Sequence, residues 1–171
     1  MIKLKSQNQF SLESLVSKFN FKPALTVAET TYTYQELFEL VQTAAKRFKN
    51  QQGNVIKLVN KESFEFIVNF LAILQSGNYP FVASFARSQS SFKNIKLNSQ
   101  ILFLGLTSGT TGQPKIYCRD WQSWKKGFDC CNKLFKLTSI RNIITGSPLT
   151  TSLGLHTLIL ALYLGKKFFA C

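Results

Sequence analysis

The chain has 171 residues, 45% hydrophobic and 17% charged, which suffices for one globular core or a share of a larger one. Its 21 Lys and Arg against 8 Asp and Glu give a formal charge of +13, which attracts nucleotides, nucleic acids or acidic membrane surfaces without choosing among them. The longest apolar run, 153–164, contains His156 and Thr157 and falls short of the ~20 residues a membrane-spanning helix needs, so no transmembrane segment is expected. The start, Met1-Ile2-Lys3-Leu4-Lys5-Ser6, lacks the apolar core of a secretory signal and points to a cytoplasmic protein. Cys118, Cys130, Cys131 and Cys171 show no C-x-x-C spacing, so they read as reduced thiols and no metal site is expected from them.

In chain order, Ala24-Leu25-Thr26-Val27 and Thr31-Tyr32-Thr33 predict a hairpin around Glu29. Thr33 and Glu36 then hold the first and fourth places of a capping box, with Tyr32 and Leu37 placed as a hydrophobic staple. Leu37, Leu40, Val41, Ala44, Ala45 and Phe48 recur at helical spacing. Val55-Ile56-Lys57-Leu58-Val59 reads as a strand, and Phe64, Ile67, Val68, Leu71 and Leu74 mark a second buried helix ending at Gly77. Tyr79-Pro80-Phe81-Val82 is extended. The polar stretch 84–100 reads as a loop with one weak helix, burying Phe85, Phe92, Ile95 and Leu97.

An apolar strand is expected at 101–106, and Ile116-Tyr117-Cys118-Arg119 returns as another, with Asp120 capping a helix that runs to about Phe135. Within that helix Trp121, Trp124 and Phe128 make an aromatic stripe beside Lys125 and Lys126, read as packing rather than as a base-stacking platform. Ile143-Ile144 is strand-like, a last apolar helix runs from Ser152 to Gly165, and Lys166-Lys167-Phe168-Phe169-Ala170-Cys171 opens another strand. Strands alternating with helices predict an α/β fold of layered sheets and helices.

Between the strands at 101–106 and 116–119 stands Thr107-Ser108-Gly109-Thr110-Thr111-Gly112-Gln113-Pro114-Lys115. Two glycines let successive N–H groups converge on an anion, the hydroxyls add donors, and Lys115 adds a full charge. This is a phosphate cradle. It differs from a Walker loop, because no Gly-Lys-Ser/Thr ends it and a strand rather than a helix follows.

At every defined position the segment resembles the Thr-Ser-Gly-(Ser/Thr)-Thr-Gly-x-Pro-Lys loop of the AMP-forming adenylating enzymes: acyl-CoA synthetases, peptide-synthetase adenylation domains and luciferases. Thr31-Tyr32-Thr33-Tyr34-Gln35-Glu36-Leu37 and Phe70-Leu71-Ala72-Ile73-Leu74-Gln75-Ser76-Gly77 are similar to earlier blocks of that family. Pro148-Leu149 and Gly154-Leu155 are similar to its acyl-pocket segment Pro-Leu-Phe-His-x-x-Gly-Leu. The resemblance implies the layered α/β fold of the family's large N-terminal domain, incomplete, with residues 1–171 as the N-terminal part of an AMP-binding domain. It assigns Thr107, Ser108, Gly109, Thr110, Thr111, Gly112 and Lys115 to ATP phosphates, with the hydroxyl of Thr107 or Thr111 near Mg2+, and Thr151, Gly154 and His156 to the substrate pocket. It implies a small carboxylic acid, activated as acyl-adenylate and passed to the thiol of CoA or a phosphopantetheine arm, in fatty acid metabolism.

Three departures mark the chain. Ile116 follows the loop Lys where the family has Gly, the stretch between Gly77 and Thr107 is short, and Thr151 stands at the pocket-lining His. The family's Thr-Glu motif, ribose-binding Asp and distal adenylation Lys do not occur before Cys171. The expectation is therefore a truncated or split form, inactive by itself unless a second chain supplies the missing domain, with no catalytic residue assigned. The other reading is a non-catalytic basic module for nucleic acid or an anionic surface, although no specific nucleic acid is indicated.

Overall fold

Helix α1 (Leu12–Phe19) is not among the predicted elements, yet its makings are local: Ser11 caps it by accepting from the Ser14 N–H at 3.3 Å, and Leu12 and Leu15 are buried. The computed structural model describes residues 9–59, 63–83, 92, 95–107 and 114–170. Strands β1 (Pro23–Val27) and β2 (Thr30–Thr33) form the expected hairpin, with Leu25 opposite Tyr32 and Val27 opposite Thr30. The capping box forms. Glu36 N–H donates to Thr33 Oγ1 at 3.2 Å and Thr33 N–H donates to Glu36 Oε2 at 2.8 Å, which launches α2 (Tyr34–Ala45). The Tyr32 ring of the expected staple stacks on Phe64, 4.8 Å between centroids.

The central elements follow the predicted order: β3 (Val55–Val59), α3 (Ser63–Gln75), β4 (Tyr79–Ala83), β5 (Ile101–Leu106), β6 (Ile116–Asp120) and α4 (Trp121–Leu134). The remainder is β7 (Asn142–Ile144), α5 (Ser152–Tyr163) and β8 (Lys167–Ala170). Most of the polar stretch 84–100, Phe85 included, lies outside the described residues. Within it Phe92, Ile95 and Leu97 pack where burial was expected, over Phe81, Ala83 and Leu104.

Two four-stranded sheets result, ordered β2-β1-β8-β7 and β3-β4-β5-β6. In the first, β1, β8 and β7 are parallel, and in the second β3, β4 and β5 are parallel while β6 runs back along β5. One hydrophobic core contains residues of both sheets, Leu25 and Phe168 from one and Leu58, Val82 and Phe103 from the other. Helices α3 and α5 are its filling. Phe66, Ile67, Phe70 and Leu71 of α3 are buried, as are Leu155, Leu158, Ile159, Ala161 and Leu162 of α5. Because side chains alternate along a strand, β4 and β5 present Val82 and Phe103 to this core and Phe81 and Leu104 to the smaller one. Strands covered on both faces read as continuous apolar runs, and this is why they are legible in the sequence.

Tyr34 fastens the two ends of the chain together. Fully buried at the start of α2, it directs its hydroxyl to Leu162 O at 3.0 Å, in the last turn of α5, and to Lys166 O at 3.1 Å, just before β8. Burial pushes its phenol pKa up. The mixed α/β layering matches the expected fold class.

Candidate functional site

The phosphate-cradle segment joins β5 to β6, and its mouth is closed by a reciprocal pair. Thr107 N–H donates to Lys115 O at 2.9 Å, while the Thr107 hydroxyl donates to the same oxygen at 3.3 Å and accepts from Lys115 N–H at 3.2 Å. The antiparallel register continues from there, Leu106 opposite Ile116 and Gly105 opposite Tyr117. A threonine is therefore worth more here than its hydroxyl alone: it holds the first and last residues of the loop at a fixed separation while leaving the Lys115 side chain exposed. Ser108, Gly109, Thr110, Thr111 and Gly112 lie outside the described residues.

Below the mouth the hairpin is tight. A Cβ on Gly105 would sit 2.5 Å from Cζ of Tyr117, so glycine is what lets that ring lie across β5. Burial raises the Tyr117 phenol pKa, with the nearby Arg119 charge opposing. The Tyr117 ring also carries the Arg119 guanidinium at 4.9 Å from its centroid and meets Phe103 edge-on at 6.1 Å.

Arg119 links the hairpin to the second predicted group. Its Nε donates to Ser152 Oγ at 2.9 Å, at the first turn of α5. Thr151 caps that helix: its hydroxyl accepts from the Gly154 N–H at 3.1 Å and donates to Pro148 O at 2.8 Å. Gly154 is pressed against the incoming chain, for a Cβ there would fall 2.2 Å from Pro148 O. The Pro-Leu…Gly-Leu pattern thus has a backbone reason of its own, a turn that folds onto the helix it precedes.

His156 sits between the rings of Trp124 and Phe128, at centroid distances of 5.1 and 4.8 Å. Burial first, and the Arg119 charge second, lower its pKa and favour the neutral imidazole. Trp121, Trp124 and Phe128 are buried, and Trp121 and Phe128 also meet Tyr163, whose hydroxyl donates to Asp129 at 3.1 Å. The aromatic stripe is packing, as the sequence suggests. So the structure joins Thr151, Gly154 and His156 at the head of α5. Arg119 connects them to the hairpin from a position on β6 about 13 Å along the strand from Lys115, at ~3.3 Å per residue. Sequence reasoning misses Arg119, because a lone Arg at a strand end carries no local signal.

Among the described residues no group of three or more His, Cys, Asp and Glu could hold a metal, and no helix is long and apolar enough to cross a membrane. Cys118 and Cys130 are exposed free thiols and Cys131 is partly buried.

The two layered α/β sheets have the fold of the N-terminal domain of the AMP-forming adenylating enzymes, and the Thr-Ser-Gly-rich segment between the antiparallel pair β5 and β6 is similar to their loop. By sequence the chain is 25% identical over 185 residues to a Staphylococcus epidermidis protein named long chain fatty acid-CoA ligase VraA, a match covering 92% of this chain and 41% of that one. The chain thus spans well under half the length of the curated relatives it matches. By structure it resembles O-succinylbenzoate coenzyme A synthetase (MenE) of Bacillus subtilis, solved with ATP and magnesium, at TM-score 0.74 and 14% identity over 94% of this chain and 56% of that one. Mycobacterium smegmatis MbtA gives TM-score 0.72 at 16% identity, over 92% of this chain and 42% of that one. No protein-family model matches the chain.

Proposed function

We propose that the chain is the phosphate-gripping part of an ATP-dependent acid–thiol ligase. In this reaction a carboxylate oxygen attacks the α-phosphorus of ATP, the bond to the bridging oxygen breaks, and pyrophosphate leaves. A thiol such as that of CoA then displaces AMP from the acyl-adenylate. The protein's task in the first step is to fix the triphosphate and neutralise the charge gathering on the leaving pyrophosphate.

The observation that supports this reading most is the pairing of Thr107 with Lys115 across the loop mouth. It fixes both ends of a glycine- and hydroxyl-rich segment and turns a Lys outward beside it. Lys115, with Ser108, Gly109, Thr110, Thr111 and Gly112, would hold the β- and γ-phosphates. One loop hydroxyl, Thr107 or Thr111, would adjoin the Mg2+ that accompanies the phosphates. The ion's chemistry when bound is to offset phosphate charge. The names of the relatives favour CoA as acceptor and a fatty acid as substrate. The head of α5, with Thr151, Gly154 and His156 and with Arg119 beside them, would adjoin the acid.

Titration of the purified chain with ATP, AMP and pyrophosphate, with and without Mg2+, tests the assignment. ATP should bind more tightly than AMP, with magnesium required, and Lys115→Ala should weaken ATP about ten-fold while leaving AMP unchanged, as expected for one charge-assisted hydrogen bond removed. Equal affinities for ATP and AMP, or an unaltered ATP affinity in Lys115→Ala, would refute it.

A further inference from the structure

The parallel strands β1, β8 and β7 all begin around one groove of about 630 Å3. Its lining includes Lys22 before β1, Thr138 and Arg141 before β7, and Lys166 and Lys167 at the start of β8, and no Asp or Glu is among its lining residues. Four basic residues from three distant stretches of the chain thus line one space.

The groove is also stiff. Lys167 N–H donates to Arg141 O at 3.0 Å, tying β8 to the entry of β7. Buried Tyr34 holds the backbone on the other side, its N–H donating to Lys22 O at 3.0 Å and its hydroxyl to Lys166 O at 3.1 Å. Each lysine is steered by a neighbour. Lys22 Nζ lies 5.5 Å from the Phe19 ring centroid, Lys167 Nζ lies 4.5 Å from that of Phe169, and Lys166 Nζ donates to Thr138 O at 2.9 Å. Arg141 is exposed, and its guanidinium has no hydrogen-bond or ion-pair partner among the described residues.

We infer that this groove is a second anion site, built for a free small molecule bearing a di- or triphosphate and separate from the loop at Thr107. The guanidinium of Arg141 presents a planar fork that matches two phosphate oxygens, and the three ammonium groups supply point charges around it. A single phosphate would leave most of that charge unmet. The groove belongs to the β2-β1-β8-β7 sheet, whereas the loop belongs to the other sheet, so the inference does not rest on the function proposed above.

The test is an amide-resolved NMR titration of the full chain with inorganic tripolyphosphate, in wild type, Lys115→Ala and the double variant Arg141→Ala with Lys167→Ala. Shifts should appear at Lys22, Arg141, Asn142, Lys166 and Lys167. The double variant should weaken that binding about a hundred-fold or more, because it removes two charge-assisted hydrogen bonds. Lys115→Ala should leave the groove affinity unchanged even if the loop fails to bind. Should the double variant not fold, Lys22→Ala alone, at an exposed position, should weaken binding about three- to ten-fold. Shifts confined to other regions, an unchanged affinity in both groove variants, or binding only to phosphatidylglycerol vesicles or duplex DNA and not to tripolyphosphate would overturn the inference.

Discussion

Alanine is a better helix former than glycine, yet Gly154→Ala should destabilise the chain. An exchange inside a helix ordinarily gains up to about 1 kcal/mol. At Gly154 the added Cβ would lie 2.2 Å from the Pro148 carbonyl oxygen, 2.7 Å from its carbon and 2.9 Å from Ser147 O, all backbone atoms with no side chain to swing aside. Something must move by roughly 1 Å to restore van der Waals contact. Moving Pro148 O strains the two bonds it accepts from Thr151, one from the N–H at 3.0 Å and one from the hydroxyl at 2.8 Å, so the helix cap suffers with the packing. Overpacking costs of about 1–3 kcal/mol and cap losses of about 0.5–2 kcal/mol exceed the propensity gain, for a net loss of about 1–3 kcal/mol. At this chain length that lowers Tm by roughly 2–10 °C. Gly127, inside α4, is the control: a Cβ there meets nothing within 4 Å, so Gly127→Ala should stabilise by about 0.5–1 kcal/mol. Urea unfolding of the three proteins gives the answer. A Gly154→Ala protein as stable as Gly127→Ala would show that the Ser147–Pro148 turn yields freely and that the glycine is not needed for close approach.

Tyr34→Phe should cost about 1–2 kcal/mol, chiefly by stranding Lys166 O, since Leu162 O also accepts from Gly165 N–H; denaturant unfolding that matches wild type would contradict this. The raised pKa of Tyr34 means that the folded state keeps a proton the unfolded chain releases, so stability is full below about pH 10 and falls above it, and the fall should be shallower in Tyr34→Phe. His156 works in the opposite sense: its pKa is lowered, so the unfolded chain binds the proton more readily and stability declines as pH falls below about 6.5. Comparing urea midpoints of wild type and His156→Gln at pH 7.5 and 5.5 isolates that contribution, and an equal drop in both would assign the loss to other groups.

Elements defined by their own residues are readable from the amino-acid sequence. The capping box at Thr33 and Glu36, the alternating helix and strand segments from Val55 to Arg119, and the stop at Gly165 all act within a few residues of themselves. Helix α1 is not readable in this way, because eight residues give only two turns, too little for periodicity to stand out against the polar N-terminal stretch. Strand partners are hidden for a different reason: nothing near Leu25 announces that its neighbour is Phe168. The basic groove is hidden likewise, since the charge of +13 is plain but Lys22, Arg141 and Lys167 meet only through the sheet order. At the candidate site the loop chemistry is evident from composition. The cap at Thr151 and the Arg119–Ser152 bond are not, because each depends on where a turn or a strand end is carried in space.

The bond from Tyr34 to Leu162 spans 128 positions of chain, and it sets a schedule for biogenesis. The β1–β2 hairpin is synthesised early, but one edge of β1 has no strand partner until β8 arrives to pair with it. Long-range parallel pairing is slow, and an unpaired apolar edge is an invitation to aggregate in the meantime. During synthesis, then, the most hazardous interval for this molecule is the long one between the appearance of its first sheet edge and the delivery of Phe168.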